Sequence, residues 1–339
     1  MDKNLKSILE ESLTKSLSTE KSELLFTKIM DGAFSNIQIS AILASLSTRG
    51  ETIMEIIGAT KAMRKHSKKI VGGEDVIDIV GTGGDNKGTL NISTASAIVV
   101  SGSGIRVAKH GNRNISSLSG AANILESLDV NVTMGPNDAQ ACLDDIGICF
   151  MMAPIFHPAM KTVMPVRNEL GIRTVFNILG PMTNPAGVTK QLTGAFSTEL
   201  LEPMAQTLLA LNTETAWLVH GHDGTDEISI TDLTDIVEVK KGSINQFTLD
   251  PRDYGFKLHP FTELIGSNPA YNATQLESLL KGKPGGYRDS VILNSAAAIY
   301  IAGAAEDLHE GILLATKSID DGKALRKLNE LRQFTCEGA

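Results

Sequence analysis

Cysteine is scarce: the 339-residue chain carries three, Cys142, Cys149 and Cys336. Their spacing fits no metal-ligand pattern. The odd number points to free thiols in a reducing compartment, so a cytoplasmic location is expected. Long apolar runs are also lacking. No window approaches the ~20 apolar residues of a membrane span, and the charged start MDKNLKSILEESLTKS has no signal-peptide stretch. Positive charge is in deficit, with 31 Lys+Arg against 39 Asp+Glu and a net charge of −8. Bulk electrostatics therefore give no support to a nucleic-acid partner. A local cluster of donors can still serve a phosphate-rich small substrate. There is no internal repeat and no low-complexity linker. What remains is ordinary for a globular chain, 42% hydrophobic and 21% charged, and long enough for one large domain or two intimate ones.

Residues 1–70 read as helices only. Leu5, Ile8, Leu9 and Leu13 share one helical face. Ser18 or Thr19 caps a second helix carrying Leu24, Leu25 and Ile29 and stopping at Gly32. A third runs from about Ser35 with Ile39, Ile42, Leu43 and Leu46 on one face and stops at Gly50. Thr52 caps a fourth carrying Ile53, Ile56, Ile57, Thr60 and Met63. After Gly72-Gly73 the pattern changes to alternating strands and helices, the mark of an α/β sheet. Strands are expected at 76–80, 105–108, 130–134 and 148–152, and later near 190–196, 215–220 and 235–240. Helices are expected at 92–100, about 121–128, after Pro136 and at 290–303. Residues 158–171 read as a helix returning to the bundle, with Met160, Val163 and Met164 as its buried stripe and Arg167 extending that face. Residues 241–290, rich in Gly, Pro and Asn, give the weakest pattern.

Five motifs carry chemistry. Gly81-Thr82-Gly83-Gly84-Asp85 follows a strand, where glycines bring backbone N–H groups close to phosphate oxygens, or simply make a tight turn. Asn91-Ile92-Ser93-Thr94 opens the next helix and can cap it or hold an anion, and Ser93 can also reach a metal. Lys109-His110-Gly111-Asn112-Arg113 ends a strand and leads to Ser116, Ser117, Ser119 and Gly120. Cations at that end of an α/β strand match phosphates, although a solvated loop would look the same. His157 to Pro185 holds Arg167, which suits a carboxylate if buried. Arg173 and Lys161 read as structural, and Gly180-Pro181 and Asn184-Pro185 as sharp turns. Asp226-Glu227, in the run HDGTDE, is an acidic turn or a Mg²⁺ feature.

The ordered series GTGGD, NIST, KHGNR, SSxxG, HPAMKxVxPVRxELGxRTxFNxLGPxxNP and DGTDE resembles the anthranilate phosphoribosyltransferase family. The N-terminal stretches QISAILASLSTRGET and EIIGATKAMR resemble it as well. The likeness covers nearly the whole chain. It implies a nucleoside-phosphorylase-like phosphoribosyltransferase fold of the α/β class: a small helical domain and a larger α/β domain with a central mixed sheet. The boundaries would be 1–70, with a helical return near 158–185, and 71–339 for the rest. It also implies a homodimer through the helical domains and an active site at the hinge.

The resemblance carries roles onto matching residues. Gly81, Gly84, Asp85 and Thr89 would lie along phosphoribosyl pyrophosphate. Asn91, Ile92, Ser93, Thr94 and Lys109 would hold its phosphates, with His110 and Gly111 also lining the phosphoribosyl pyrophosphate site. The loop of Asn112, Arg113, Asn114, Ile115, Ser116 and Ser117 would close over them, with Ala121 beyond it. Ser93, Asp226 and Glu227 would serve Mg²⁺. Asn112 and Arg167 would bind anthranilate, with Gly81, His110 and Pro181 nearby. Some positions depart from the family: Ala121 replaces a frequent Ser, Asn123 a usual Asp, Leu118 a frequent Lys and Asp129 a frequent Gly. The expected catalytic residues are Lys109 and, as the nearest candidate base, His110. A pyrimidine-nucleoside phosphorylase would share the fold but leave the acidic pair unexplained, and a nucleic-acid-binding paralogue would need a basic surface.

Overall fold

The computed structural model describes residues 3–113 and 119–337. Four helices open the chain: α1 (Lys3–Ser12), α2 (Thr19–Met30), α3 (Asn36–Arg49) and α4 (Ile53–His66). Their starts are written in local chemistry. Ser18 accepts from the Lys21 N–H, so Ser18 and not Thr19 is the cap. Ser35 with Gln38 and Thr52 with Glu55 each form a reciprocal capping box, which satisfies otherwise orphaned donors. Glu55 is buried, yet its carboxylate also takes the Leu17 N–H and the Arg49 guanidinium.

The chain then alternates: β1 (Val76–Gly81), α5 (Ile92–Gly102), β2 (Arg106–Gly111), α6 (Ala121–Ser127), α7 (Pro136–Ile146) and β3 (Ile148–Met152). The return follows as α8 (Ala153–Phe156), a 3₁₀ turn (Pro158–Thr162), α9 (Met164–Leu170) and α10 (Phe176–Leu179). After it come β4 (Lys190–Gly194), α11 (Leu201–Ala210), β5 (Thr215–Gly221), β6 (Thr234–Lys240) and β7 (Ser243–Leu249). Four helices close the chain: α12 (Pro269–Leu280), α13 (Gly286–Ala302), α14 (Leu308–Asp320) and α15 (Lys323–Glu337).

The strands form a seven-stranded mixed sheet in the order β3-β2-β1-β4-β5-β6-β7. β1 to β5 pair in parallel, and β6 and β7 add an antiparallel edge. α5 and α13 belong to one apolar core, with Val99, Leu293 and Ala297 packed against β1 and β2 residues such as Ile77 and Val107. The other core joins the bundle (Leu25, Phe26, Ile42, Leu46), the return (Val163, Val166, Leu179) and α11 to Leu218 and Val237 of the sheet. Phe26 and Phe176 meet edge to face at 5.7 Å.

Two expectations fail for identifiable reasons. Residues 130–134 are not a strand. Val130, Val132 and Met134 are buried in alternation, but no strand among the described residues pairs with them. The segment runs along α15, whose Thr335 and Arg332 bond the backbone of Asn131 and Leu128. Alternation there reports burial against a helix, not a ladder. Residues 158–171 are not one helix, because Pro165 cannot donate back into the preceding turn. Of the expected stripe only Val163 is buried, while Met160 and Met164 are half-buried. On α4, Ile56 is in the core, and Ile53 and Ile57 border a groove with Leu209 and Ile244.

Candidate active site

Strand order reverses between β1 and β4: β2 and β3 extend the sheet on one side of β1, β4 and β5 on the other. Ligands of open α/β sheets bind in the crevice at such a switch point, outside the carboxyl ends of the strands. Gly81 ends β1 and Gly194 ends β4, paired in register. A Cβ on Gly81 would lie 2.4 Å from the Asp226 carboxylate, and one on Gly194 would lie 1.6 Å from the Asp226 carbonyl oxygen. Only glycines let the acidic loop after β5 sit in the crevice. Gly81, expected against the substrate, has this closer neighbour. Gly194 was not anticipated, because a lone glycine ending a strand says nothing of what approaches it.

The three carboxylates of that loop differ. Burial alone would raise Asp223, but hydrogen bonds from Ser229, Thr231 and Thr225 hold it below the ordinary range. It is a brace. Asp226 accepts the Gly83 N–H at 2.8 Å and Glu227 the Ser93 N–H at 3.1 Å. Burial, then repulsion from Asp85, pushes Asp226 up to about 7; burial and Asp226 push Glu227 upward as well. Among the described residues neither of these two carboxylates forms an ion pair. Gly83 and Gly84 carry φ of 63° and 77°, turning the loop that brings Asp85 beside Asp226.

Lys109 is 4% exposed. Its Nζ donates to the Ile79 carbonyl at 2.5 Å and lies 3.4 Å from Ser93 Oγ. Burial lowers its pKa, opposed by Asp78, Glu227 and Asp226. Asp78 lies in the middle of β1, fully buried, and accepts from Asn184 Nδ2 (2.7 Å) and the His110 N–H (3.1 Å). His110 Nδ1 lies 3.3 Å from the Gly180 carbonyl, so it is the donating nitrogen, and Nε2 has no described partner. Burial, then the neighbouring His157, depresses His110 to about 3. At neutral pH it is a neutral hydrogen-bonding ring and a weak base.

The structure brings Gly81, Gly84, Asp85, Ser93, Lys109, Asp226 and Glu227 together. Thr89 bridges Ile265, Ile92 and Thr94 are buried in the first turn of α5, and Asn91 precedes them without a side-chain cap. Gly111 ends β2, with a Cβ there falling 2.8 Å from Phe150. Asn112 is exposed and accepts the Arg113 N–H, and the Arg113 guanidinium is paired with Glu126. Asn114, Ile115, Ser116, Ser117 and Leu118 lie outside the described residues. Ala121 opens α6, where Asn123 takes the Gly120 N–H at 3.1 Å, so the neutral side chain still bonds the helix start.

The return segment meets β1, β2 and the glycine loop through Asp78–Asn184, His110–Gly180 and Arg173, whose Nη2 donates to the Gly84 carbonyl. Arg173, read as structural, also stacks over Phe196 at 3.9 Å. Lys161 is exposed and Pro181 buried. Arg167 on α9 is half-buried. Among the described residues it meets only Met164 Sδ at 3.8 Å and the Phe176 ring at 5.7 Å. Asp78, His157 and Asn184 were not anticipated as site residues. Their sequence context is apolar strand or turn, and only the fold collects them.

Residues 5–67 match the helical bundle domain of the glycosyl transferase family, and residues 73–325 match its a/b domain. The chain is 48% identical to the anthranilate phosphoribosyltransferase of Mesorhizobium japonicum, over 94% of this chain and 95% of that protein. The anthranilate phosphoribosyltransferase of Thermus thermophilus superposes with a TM-score of 0.93 at 38% identity, covering 97% of this chain and 99% of that one. The Saccharomyces cerevisiae enzyme, solved in complex with PRPP and Mg, gives a TM-score of 0.89 at 28% identity over 99% of both chains. With this fold, this crevice and these relatives, the chain belongs to the anthranilate phosphoribosyltransferase family.

Proposed function

We propose that the crevice transfers the phosphoribosyl group of phosphoribosyl pyrophosphate to the amine of anthranilate, giving N-(5-phosphoribosyl)anthranilate and pyrophosphate in tryptophan biosynthesis. One observation carries this reading. Two carboxylates without an ion pair among the described residues, Asp226 and Glu227, face a buried lysine and the start of α5 at the topological switch point. That pattern of charge suits a cation and a diphosphate together.

The donor set fits Mg²⁺. Asp226 and Glu227, with Asp85 beside Asp226, present more negative charge than Lys109 offsets, and Ser93 adds a hydroxyl. No group of three His, Cys, Asp or Glu among the described residues makes a metal cage by itself, so water and substrate oxygens would complete the ligands, as Mg²⁺ prefers. Bound there, Mg²⁺ would neutralise charge on the departing pyrophosphate.

The protein's own groups do the rest. Breaking the C1–oxygen bond leaves negative charge on pyrophosphate, which Lys109 and the N–H groups of the glycine loop and α5 stabilise. The Asp78 carboxylate, held by Asn184, sits behind Lys109 and helps to keep it charged. The aromatic amine attacks C1 as a neutral nucleophile and then sheds one proton, to the departing pyrophosphate or to water, so it needs placement more than a strong base. His110 Nε2, the accepting nitrogen, suits that placement. Arg167 supplies a guanidinium with no carboxylate partner among the described residues for the acceptor's carboxylate, with Pro181, Gly81 and Asn112 around the ring. Chelation of divalent metal should abolish turnover; activity that survives it would remove Asp226 and Glu227 from this role. The same reading includes a homodimer through the helical region, supported by exposed Ile37, Met54, Leu13 and Ile172. A monomeric mass by light scattering at micromolar concentration would contradict it.

A further inference from the structure

Asn91 stands at the cap position of α5, yet its side chain does not cap the helix. Its Oδ1 accepts from Ser119 Oγ at 3.3 Å and from Asn272 Nδ2 at 3.0 Å, and its Nδ2 donates to the Ser119 carbonyl at 3.0 Å. Its own carbonyl accepts from the Tyr287 hydroxyl at 3.3 Å. The first residue of the diphosphate site is thus fixed by groups 181 and 196 positions away in sequence.

Asn272 is 1% exposed. Its Oδ1 accepts the Ser267 N–H at 2.8 Å, which settles which end of the amide is oxygen and aims Nδ2 at Asn91. The strap that carries it, residues 264–272, is stitched to the donor loop by backbone. The Leu90 N–H donates to the Leu264 carbonyl, and the Gly266 N–H to the Gly88 carbonyl, both at 2.8 Å. The foot of the strap is pinned where His259 bridges Glu263 and Asp289. Burying an amide costs desolvation that an apolar side chain would avoid. Here both ends of the amide are used, and one of them is spent on Asn91.

We infer that Asn272, seconded by Tyr287, is a positioning residue for donor binding: it indexes Asn91, and with it the first turn of α5, to the strap at 264–272. The inference rests on the proposed phosphoribosyl transfer. Asn272→Asp is the sharp probe. It keeps the acceptor for Ser267 and replaces the donor facing Asn91 with a second acceptor. Losing that buried bond should raise the KM for phosphoribosyl pyrophosphate by roughly 10-fold or more. The anthranilate KM should stay within about two-fold, as for an independent site. In an Asn91→Ala background the same change should add less than about two-fold to the donor KM, because its partner is gone. Tyr287→Phe and Asn272→Ala should move the donor KM in the same direction, and they carry the test if Asn272→Asp does not fold. A fall in melting temperature with both Michaelis constants unchanged, or equal shifts in both, would overturn the inference. So would full additivity with Asn91→Ala. If the wild-type protein fails to consume the two substrates, the transfer reading fails on its own. Calorimetry with inorganic pyrophosphate then decides the positioning role, weakened binding in Asn272→Ala supporting it and unchanged binding refuting it.

Discussion

Replacing Arg167 with alanine separates a substrate-binding role from a bracing one. Arg167 is half-buried on α9, and burial lowers its pKa with no acid opposing. Its described neighbours are a thioether and the Phe176 ring. A cation–π contact is worth roughly 0.5–1 kcal/mol at such a site, and removing a poorly solvated charge offsets part of that. The melting temperature should therefore move by no more than a degree or two, on the order expected for less than 1 kcal/mol in a chain of this size. Binding should respond differently. A planar carboxylate meets a guanidinium with two parallel donors, and loss of one charged hydrogen bond of ~1.5–3 kcal/mol raises KM by roughly 10- to 150-fold. The anthranilate KM should rise by that factor, and the donor KM should stay where it is. Arg167→Lys should recover only part, since an ammonium cannot pair bidentately. Steady-state kinetics with each substrate varied, together with a melt, gives all three numbers. Equal loss for both substrates with a lowered melting temperature would refute the reasoning and make Arg167 a brace.

Three further outcomes follow from the geometry. Gly194→Ala places a carbon 1.6 Å from the Asp226 carbonyl; the acidic loop must shift, and kcat should fall at least roughly 100-fold with an unchanged circular-dichroism spectrum, whereas near-wild-type turnover would mean the loop is not critical. Lys109→Met should lower kcat/KM for the donor by roughly 10- to 150-fold without loss of stability; a change confined to the anthranilate constant would contradict its placement. His110 and His157 are depressed to about 3 and about 4, chiefly by burial, so the unfolded chain binds more protons than the native one from about pH 6.5 downward, and stability is full above that pH and lost as pH falls, by up to about 1.4 kcal/mol per pH unit for each ring. His157→Leu should flatten that acid slope in melts between pH 7.5 and 5, and an unchanged slope would show that the ring is not buried neutral.

The parts of the fold carried by local rules were legible. The bundle could be read because Ser35, Thr52 and Gly50 mark its helix ends and its apolar faces recur at helical spacing. Buried parallel strands such as 76–81 could be read because every residue is apolar or β-branched apart from Asp78. β7 was not legible: it is an edge strand whose burial runs mostly exposed, so it leaves no alternation to find. α12 hid in a stretch weighted toward Gly, Pro and Asn. The site divides the same way. Lys109, Ser93, Asp226 and Glu227 announce themselves by residue type beside turns. Gly194, Asp78 and Asn272 do not, because their roles depend on what other chain segments bring against them. Proline told against the helix expected at 158–171, and that signal was available in Pro158 and Pro165.

The central claim is tested most directly by incubating the purified protein with anthranilate, phosphoribosyl pyrophosphate and Mg²⁺ and following anthranilate fluorescence. The account predicts a steady loss of signal that requires all three components, stops on chelation and releases one pyrophosphate per anthranilate consumed. Unchanged fluorescence from a folded protein, or consumption that continues without phosphoribosyl pyrophosphate, would contradict it.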